Sequence, residues 1–550
     1  MNETTRDEPT RDWQSDLLVA IAALLTFARG VPRALMTSWD DQRFLVEFEP
    51  VQSISVDHLV ALWSEPHFEA YHPLHLMSYW LDVPWVGPNG PVIHGVSLAL
   101  FVGALLLVRR VFLAWGLGRV GALLATLAYG LHPVQVEAVT WATGRKEIVA
   151  LLLASACILL HERSRLADKG PWERDAWLSR AAYVGAALAK TTVLPLPLVL
   201  IARDVLLGEK PLRTSIVRQV PAFLLGLGLG VAVVQIWHDN EMIRAAPEGL
   251  GPIALVSSTV THHLGTALIP LWTSPVYPIH RVMADFAWWD ALGPLALALA
   301  VWRGNAPVRF AAIGFLVLLA PVSNIWPLYF EVQDRYLCLP LLPLAFLFGA
   351  LADAVQGSGK SALTVVVAAF AAISVIYQGV WSSDLSLWKH AAQTHPESFY
   401  AWMKVGELER NEGDFGAALQ AYDRAIENEP LLRLGHAARF QTFALLDEER
   451  HSLSPSRAVE FSQRYVQVAD DSEGLRTVAG DMVVAGYRDA ALIPLGRAME
   501  LTPMSPERIE RAALSQLRHG NEWLVRFYVE RMSRPPFDPA LRRFIPAENE

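Results

Sequence analysis

The chain places two adjacent carboxylates, Asp40 and Asp41, in the stretch Ser38-Trp39-Asp40-Asp41, just beyond its first apolar segment and ahead of a long aromatic loop. A positioned carboxylate can take a proton from a hydroxyl, and a like-charged neighbour raises the pKa of one member of such a pair. Acids in a loop also occur simply as solvated residues, so the pair gains meaning only from its company. Cations supply complementary chemistry. Arg145 and Lys146 follow Gly144 where an apolar run begins. Cations at a helix start oppose its dipole, whereas a phosphate there is favoured by the free N–H groups and by both side chains. Arg335, between Asp334 and Tyr336, carries the planar fork that suits phosphate oxygens, with Asp334 as a competing partner. Lys190, in the stretch LAKTTVLPLPLVLIARD, is a weaker phosphate ligand. Glu137 stands in an otherwise apolar segment, where a carboxylate is costly enough to be functional by default. Tyr71 and His72 belong to HFEAYHPLHLMSYWLD, residues 67–82, which reads either as a horizontal helix flooring a lipid-facing cavity or as an ordinary aromatic belt. His72 and His75 are spaced i, i+3, but without convergent ligands they assign no metal, and a divalent ion is unsupported.

The elements that must position these groups are set by composition. Of 550 residues 53% are hydrophobic and only 18% charged, against roughly 25% in soluble domains; mean hydropathy is +0.27. These values define a membrane protein. Charges are sparse from about residue 90 to 380 and dense from Glu397 onward, so two regions face different solvents. A net charge of -9 without any basic run excludes nucleic acid as a partner. Cys157 and Cys338 each lie in an apolar segment and read as core thiols. The first sixteen residues are acidic, the wrong sign for a cleavable signal peptide, so the first apolar segment is expected to stay.

Apolar runs at 17–36, 92–114, 120–139, 148–160, 181–205 (as two helices), 220–237, 292–302, 310–325, 336–351 and 363–381 predict about eleven spans. The segment 253–272, with His262 and His263 in its middle, reads as re-entrant. The basic loops near Arg109, 161–180, 203–218, Arg303 and Lys360 then all fall on the cytoplasmic side, and Asp40, Asp41 and the C-terminal region on the outer face. The expected fold is all-α: an N-terminal tail over 1–16, a polytopic helical bundle over 17–381, a soluble helical solenoid over 382–540 and a tail over 541–550.

The solenoid rests on YAWMKVGELERNEGDFGAALQAYDRAIENEP, residues 400–430. Trp402, Gly406, Ala418, Tyr422, Ala425 and Pro430 fall on tetratricopeptide-repeat spacing. Small residues there let two helices approach, and one repeat cannot bury its own faces, so three or four units should stack. A degenerate copy occupies 474–503.

SWDD, YHPLHLMSYWLD, LHPVQVEAVTWATGRKE, LAKTTVLPLPLVLIARD, QDRYLCLP and a repeat-bearing tail, in that order, resemble the transmembrane and tetratricopeptide-repeat O-mannosyltransferase-like proteins of the GT-C glycosyltransferase superfamily. The chain departs from their usual pattern at His72, where Arg often stands, and at Cys338, where Tyr is common. The resemblance implies a polytopic enzyme that takes a sugar, a mannose-like hexose, from a polyprenyl-phosphate carrier and gives it to a hydroxyl of a protein or envelope glycan on the outer face. It also implies an acid of the first external loop as base, which maps onto Asp40 or Asp41. A single displacement with one base inverts the sugar carbon. Membrane lipids and a protein held by the repeats are the further partners, and the compact loops favour a bacterial inner membrane. Two other readings are open: a transporter or flippase for a lipid-linked substrate, and a non-catalytic scaffold recruiting partners through its repeats.

Overall fold

The structure, a computed structural model, describes residues 12–545 apart from 69, 168–169, 209, 240–250, 278–286, 329, 430–434, 436–437, 440–441, 443–454, 470–471 and 485. Among these it is all-α; the only β feature is an isolated bridge between His67 and Ala70. The chain divides into two compact units, Met1–Ser398 and Phe399–Glu550.

Among the described residues of the first unit three helices, Gly90–Ala114, Leu212–Asp239 and Ser358–Val380, are long and apolar enough to cross a membrane. Other apolar helices, such as Ala306–Leu319 and Leu341–Ala354, are shorter. Leu212–Asp239 leaves Phe223, Leu224, Leu227 and Val231 exposed, a contiguous apolar face that suits lipid rather than water. Within 253–272 the chain is helical up to Leu268, as part of helix Gly251–Leu268, which is not among those three, with His263 buried against Thr259.

The bundle has two chemically different ends. At one, Arg109 pairs with Asp12 and Asp16 at 2.7 Å each, tying the start of helix Trp13–Phe27 to the end of Gly90–Ala114. Arg203 donates to the Ala114 carbonyl nearby. Asp353 caps helix Arg119–Gly130 from another helix, accepting from Gly118 N (2.7 Å) and Gly121 N (2.9 Å). A Cβ at position 121 would stand 2.3 Å from that carboxylate, so a side chain there would force Asp353 to shift. At the opposite end helix Trp13–Phe27 gives way to the loop bearing Asp40 and Asp41. Helix Asp384–Thr394, expected in the soluble region, belongs to this first unit, because Asp384 and Trp388 bind the same loop.

The second unit contains the helices Phe399–Asn411, Phe415–Asn428, Pro455–Val468, Ser472–Val484, Arg488–Leu501, Pro506–Arg518 and Glu522–Glu530. The first two pack as a pair, with Gly406, Ala418, Tyr422 and Ala425 buried and Trp402 half-buried. A Cβ on Gly406 would lie 2.5 Å from the Tyr422 ring, which is the close approach that small-residue spacing calls for. Pro430 lies outside the described residues.

Candidate active site

The two acids have different fates. Asp41 is fully buried and both its oxygens are engaged: Oδ2 accepts from Met36 N (2.8 Å), Oδ1 from Thr143 N (2.9 Å) and Thr143 Oγ1 (2.6 Å). Burial pushes its carboxyl up to about 6, against the lowering effect of those donated bonds, with Asp40 adding a smaller upward push. Asp40 is half-buried, and its carboxylate has no hydrogen-bond partner among the described residues. It lies within electrostatic reach of Lys146 and Arg335. A base must touch a hydroxyl, and of the two acids Asp40 is the one whose oxygens are uncommitted among the described residues.

The cations separate in the same way. Arg145 is fully buried and spends all five N–H groups within the protein. Nε donates to Ser97 Oγ (2.9 Å), Nη1 to Ser78 O (3.1 Å) and Asp82 Oδ1 (3.2 Å), Nη2 to Asp82 Oδ2 (2.5 Å) and Ile93 O (2.8 Å). Its guanidinium also lies 4.5 Å from the centre of the Tyr79 ring. The phosphate role expected of Arg145 is therefore corrected: no donor is left for a ligand, and the residue locks residues 78–97 against the start of helix Arg145–Leu166. Lys146, one residue on, turns the other way. It is half-buried, its Nζ is 5.0 Å from the Trp141 ring centre, and it has no hydrogen-bond partner among the described residues.

Arg335 pairs with Glu137 through Nη1, and its backbone N–H donates to the second Glu137 oxygen at 3.0 Å. Its Nε and Nη2 have no partner among the described residues, and it spans the Trp141 and Tyr336 rings at 4.9 and 5.8 Å. Asp334 does not neutralise it. That carboxyl instead accepts from Tyr277 Oη (2.6 Å) and Ser274 N (3.1 Å), and burial together with the Glu137 charge holds it well above the usual carboxylate range. Lys190 is paired with Glu147 and faces the Tyr336 ring at 5.8 Å. Tyr336 donates to Phe330 O (3.2 Å) and Tyr71 to Trp63 O (2.8 Å), so Tyr71 braces the aromatic loop.

His72 keeps a buried Nε2 with no partner among the described residues. Burial first, then the charges of Lys146 and Lys190, bring its pKa down to about 3. At neutral pH it is a neutral imidazole that can donate one N–H to an anion but adds no charge. Asp40, Lys146, Arg335, Glu137, Lys190, His72 and Tyr336 thus share one polar centre among Trp39, Trp141 and Phe330, whose rings meet Trp39 at 6.0 and 5.8 Å.

Sequence reasoning assigned no role to Asp82, Glu147, Thr143 or Asp384. The first two had a signal: each is an acid inside a quoted motif, and an acid in apolar surroundings needs a cation. Thr143 and Asp384 had none. Among the described residues one group is spaced to hold a metal, His161, Glu162 and Asp204. Arg165 pairs with Glu162 at 2.8 Å and Arg203 pairs with it too, while Arg165 approaches Asp204 at 3.7 Å. The acids are matched by guanidinium groups, so the cluster reads as an ion-pair network rather than a cation site.

Fold and site together define an all-helical membrane protein with a polar centre of acids and cations beside its apolar helices. Its curated relatives are transmembrane and tetratricopeptide-repeat protein O-mannosyltransferases, in agreement with the ordered motifs. The chain is 23% identical to protein O-mannosyl-transferase TMTC3 of Mus musculus over 67% of its own length and 46% of that protein. It is 23% identical to TMTC4 of Mus musculus over 74% of the chain and 65% of that protein. It is 21% identical to protein O-mannosyl-transferase F38B6.6 of Caenorhabditis elegans, over 66% and 54%. The matches thus span about half to two-thirds of these relatives. No family model matches the chain.

Proposed function

We propose that the protein is a GT-C-type membrane glycosyltransferase that moves a mannose-like hexose from a polyprenyl-phosphate carrier to a hydroxyl of a protein or envelope glycan, with inversion. The observation that carries this reading is the uncommitted Asp40 carboxylate within electrostatic reach of Lys146 and of Arg335. Asp40 takes the proton of the acceptor hydroxyl as its oxygen forms a bond to the sugar C1. The C1–O bond to phosphate breaks, and its electron pair leaves with the polyprenyl phosphate. Lys146, the free side of Arg335 and the N–H of His72 hold that leaving group, and donors fixed beforehand stabilise its charge most effectively. Glu137 and Glu147 orient Arg335 and Lys190 and temper the positive charge when no donor is bound. The names of the relatives support mannose as the sugar and protein as the acceptor.

The reading extends to topology. About eleven crossings, with the re-entrant assignment of 253–272, put the Asp40 end and a repeat array of the second unit on the outer face of a bacterial inner membrane. The pairing of Asp12 and Asp16 with Arg109 supports this, since it groups N-terminal acids with the first basic loop at the end opposite Asp40. Mass spectrometry of glycoproteins and glycans from cells with and without the gene tests the function. Loss of hexose from serine or threonine hydroxyls, or from an envelope glycan, is expected without it; an unchanged inventory would remove the proposal.

A further inference from the structure

The loop carrying Asp40 is tied down by a residue nearly 350 positions away, since Asp384 accepts four hydrogen bonds from it. Oδ2 takes Thr37 N (3.1 Å) and Thr37 Oγ1 (3.0 Å); Oδ1 takes Ser38 N (3.2 Å) and Ser38 Oγ (2.5 Å). Trp388, one turn further along helix Asp384–Thr394, is fully buried, donates from Nε1 to Ser38 Oγ (2.7 Å) and sets its ring 4.9 Å from that of Trp39. The helix does not need Asp384 for its own start, because Ser383 is the N-cap and accepts from Ser386 N at 3.1 Å. From the other side Asp41 holds Met36 and Thr143. Residues 36, 37, 38 and 41 are therefore each fixed through a carboxylate, and Asp40 between them is the acid left uncommitted. Such a frame restricts where the Asp40 oxygens can stand, and a misplacement of about 1 Å at a reacting centre can cost about 100-fold in rate.

We propose that Asp384 is a positioning residue for the transfer, holding the backbone of 37–39 so that Asp40 meets the acceptor hydroxyl, with Trp388 as its second anchor. This rests on reading Asp40 as the base. The test uses the full chain in lipid nanodiscs with polyprenyl-phosphate mannose as donor. Asp384→Ala is expected to lower kcat by about 100-fold and to leave the donor KM within about threefold, because the cations that face the phosphate sit on other segments. Amide exchange at residues 37–39 should become at least about tenfold faster, and Asp384→Glu should restore part of kcat. Wild-type kcat in Asp384→Ala, a loss confined to KM, or unchanged exchange would overturn the proposal. Should Asp384→Ala fail to fold, Trp388→Phe decides, since it removes the indole N–H donor to Ser38 and keeps an aromatic six-membered ring at the site. A fall in kcat of about 3- to 10-fold is expected there, and wild-type kcat would overturn the proposal. Asp40→Asn run in parallel separates the two ideas. Full activity in Asp40→Asn removes the base assignment and with it this role for Asp384; an inactive Asp40→Asn beside a fully active Asp384→Ala removes only the positioning role.

Discussion

Asp40→Asn is expected to lower kcat for sugar transfer by about 100- to 10,000-fold, the usual worth of a positioned general base, with the protein still folded and inserted. The carboxylate makes no hydrogen bond among the described residues that the amide would break, so donor binding and thermal unfolding should change little. Asp41→Asn should do the opposite. Its oxygens serve three donors, and an amide NH2 turned toward one of them leaves a buried N–H unsatisfied, which costs about 1–3 kcal/mol. The pH dependence should separate the two acids as well. The Asp41 carboxyl is pushed by burial from 3.8 up to about 6. The folded state therefore binds a proton between those values that the unfolded chain has already released. Its contribution to stability is fully present below 3.8 and is lost as pH rises through about 6. The unfolding midpoint of the wild type should carry that downward slope between about pH 4 and pH 7, and Asp41→Asn should remove it while Asp40→Asn keeps it. Full transfer activity in Asp40→Asn, measured with a labelled donor, would sink the assignment.

Arg145→Met and Lys146→Met are adjacent changes with opposite expected results. Removing Arg145 strands Asp82 in a fully buried site, and breaking such a pair from one side costs about 3–5 kcal/mol. The variant should lose much of its yield of folded protein, and its remaining fraction should bind donor normally. Lys146 holds no protein partner by hydrogen bond among the described residues. Its loss should leave the unfolding midpoint nearly unchanged and lower kcat/KM for the lipid donor by about 10- to 100-fold, the worth of one charge-assisted contact. Measuring folded yield and kcat/KM on both variants checks the pair; a stable Arg145→Met with impaired donor use would return Arg145 to the phosphate site.

The contrast between these two cations shows where sequence stops being informative. A cation near an apolar run announces that some anion must meet it, and this was legible for Arg145, Lys146, Lys190 and Arg335 alike. Which anion meets it depends on contacts across the fold. Asp82 reaches Arg145 from 63 residues away, and Glu137 reaches Arg335 from 198. The same limit applies to Asp40 and Asp41, which are neighbours in sequence yet differ in burial because only one can turn inward toward Thr143. The helix pair at 399–428 was legible because Gly406 and Tyr422, where its two helices meet closely, are near each other in sequence. Helix Asp384–Thr394 was misassigned because its composition is that of a soluble helix while its N-terminal end binds the Asp40 loop. Among the described residues three helices are long and apolar enough to cross a membrane, and other apolar helices, such as Ala306–Leu319 and Leu341–Ala354, are shorter.

The most direct test of the central claim is transfer by the purified full chain in sealed vesicles containing polyprenyl-phosphate mannose, with a serine- and threonine-bearing polypeptide supplied outside. Mass spectrometry of that polypeptide should find hexose on hydroxyl side chains with the wild type and none with Asp40→Asn. Unmodified hydroxyls in the presence of the wild type, with the lipid-linked sugar instead carried from one leaflet to the other, would contradict the account and identify a flippase.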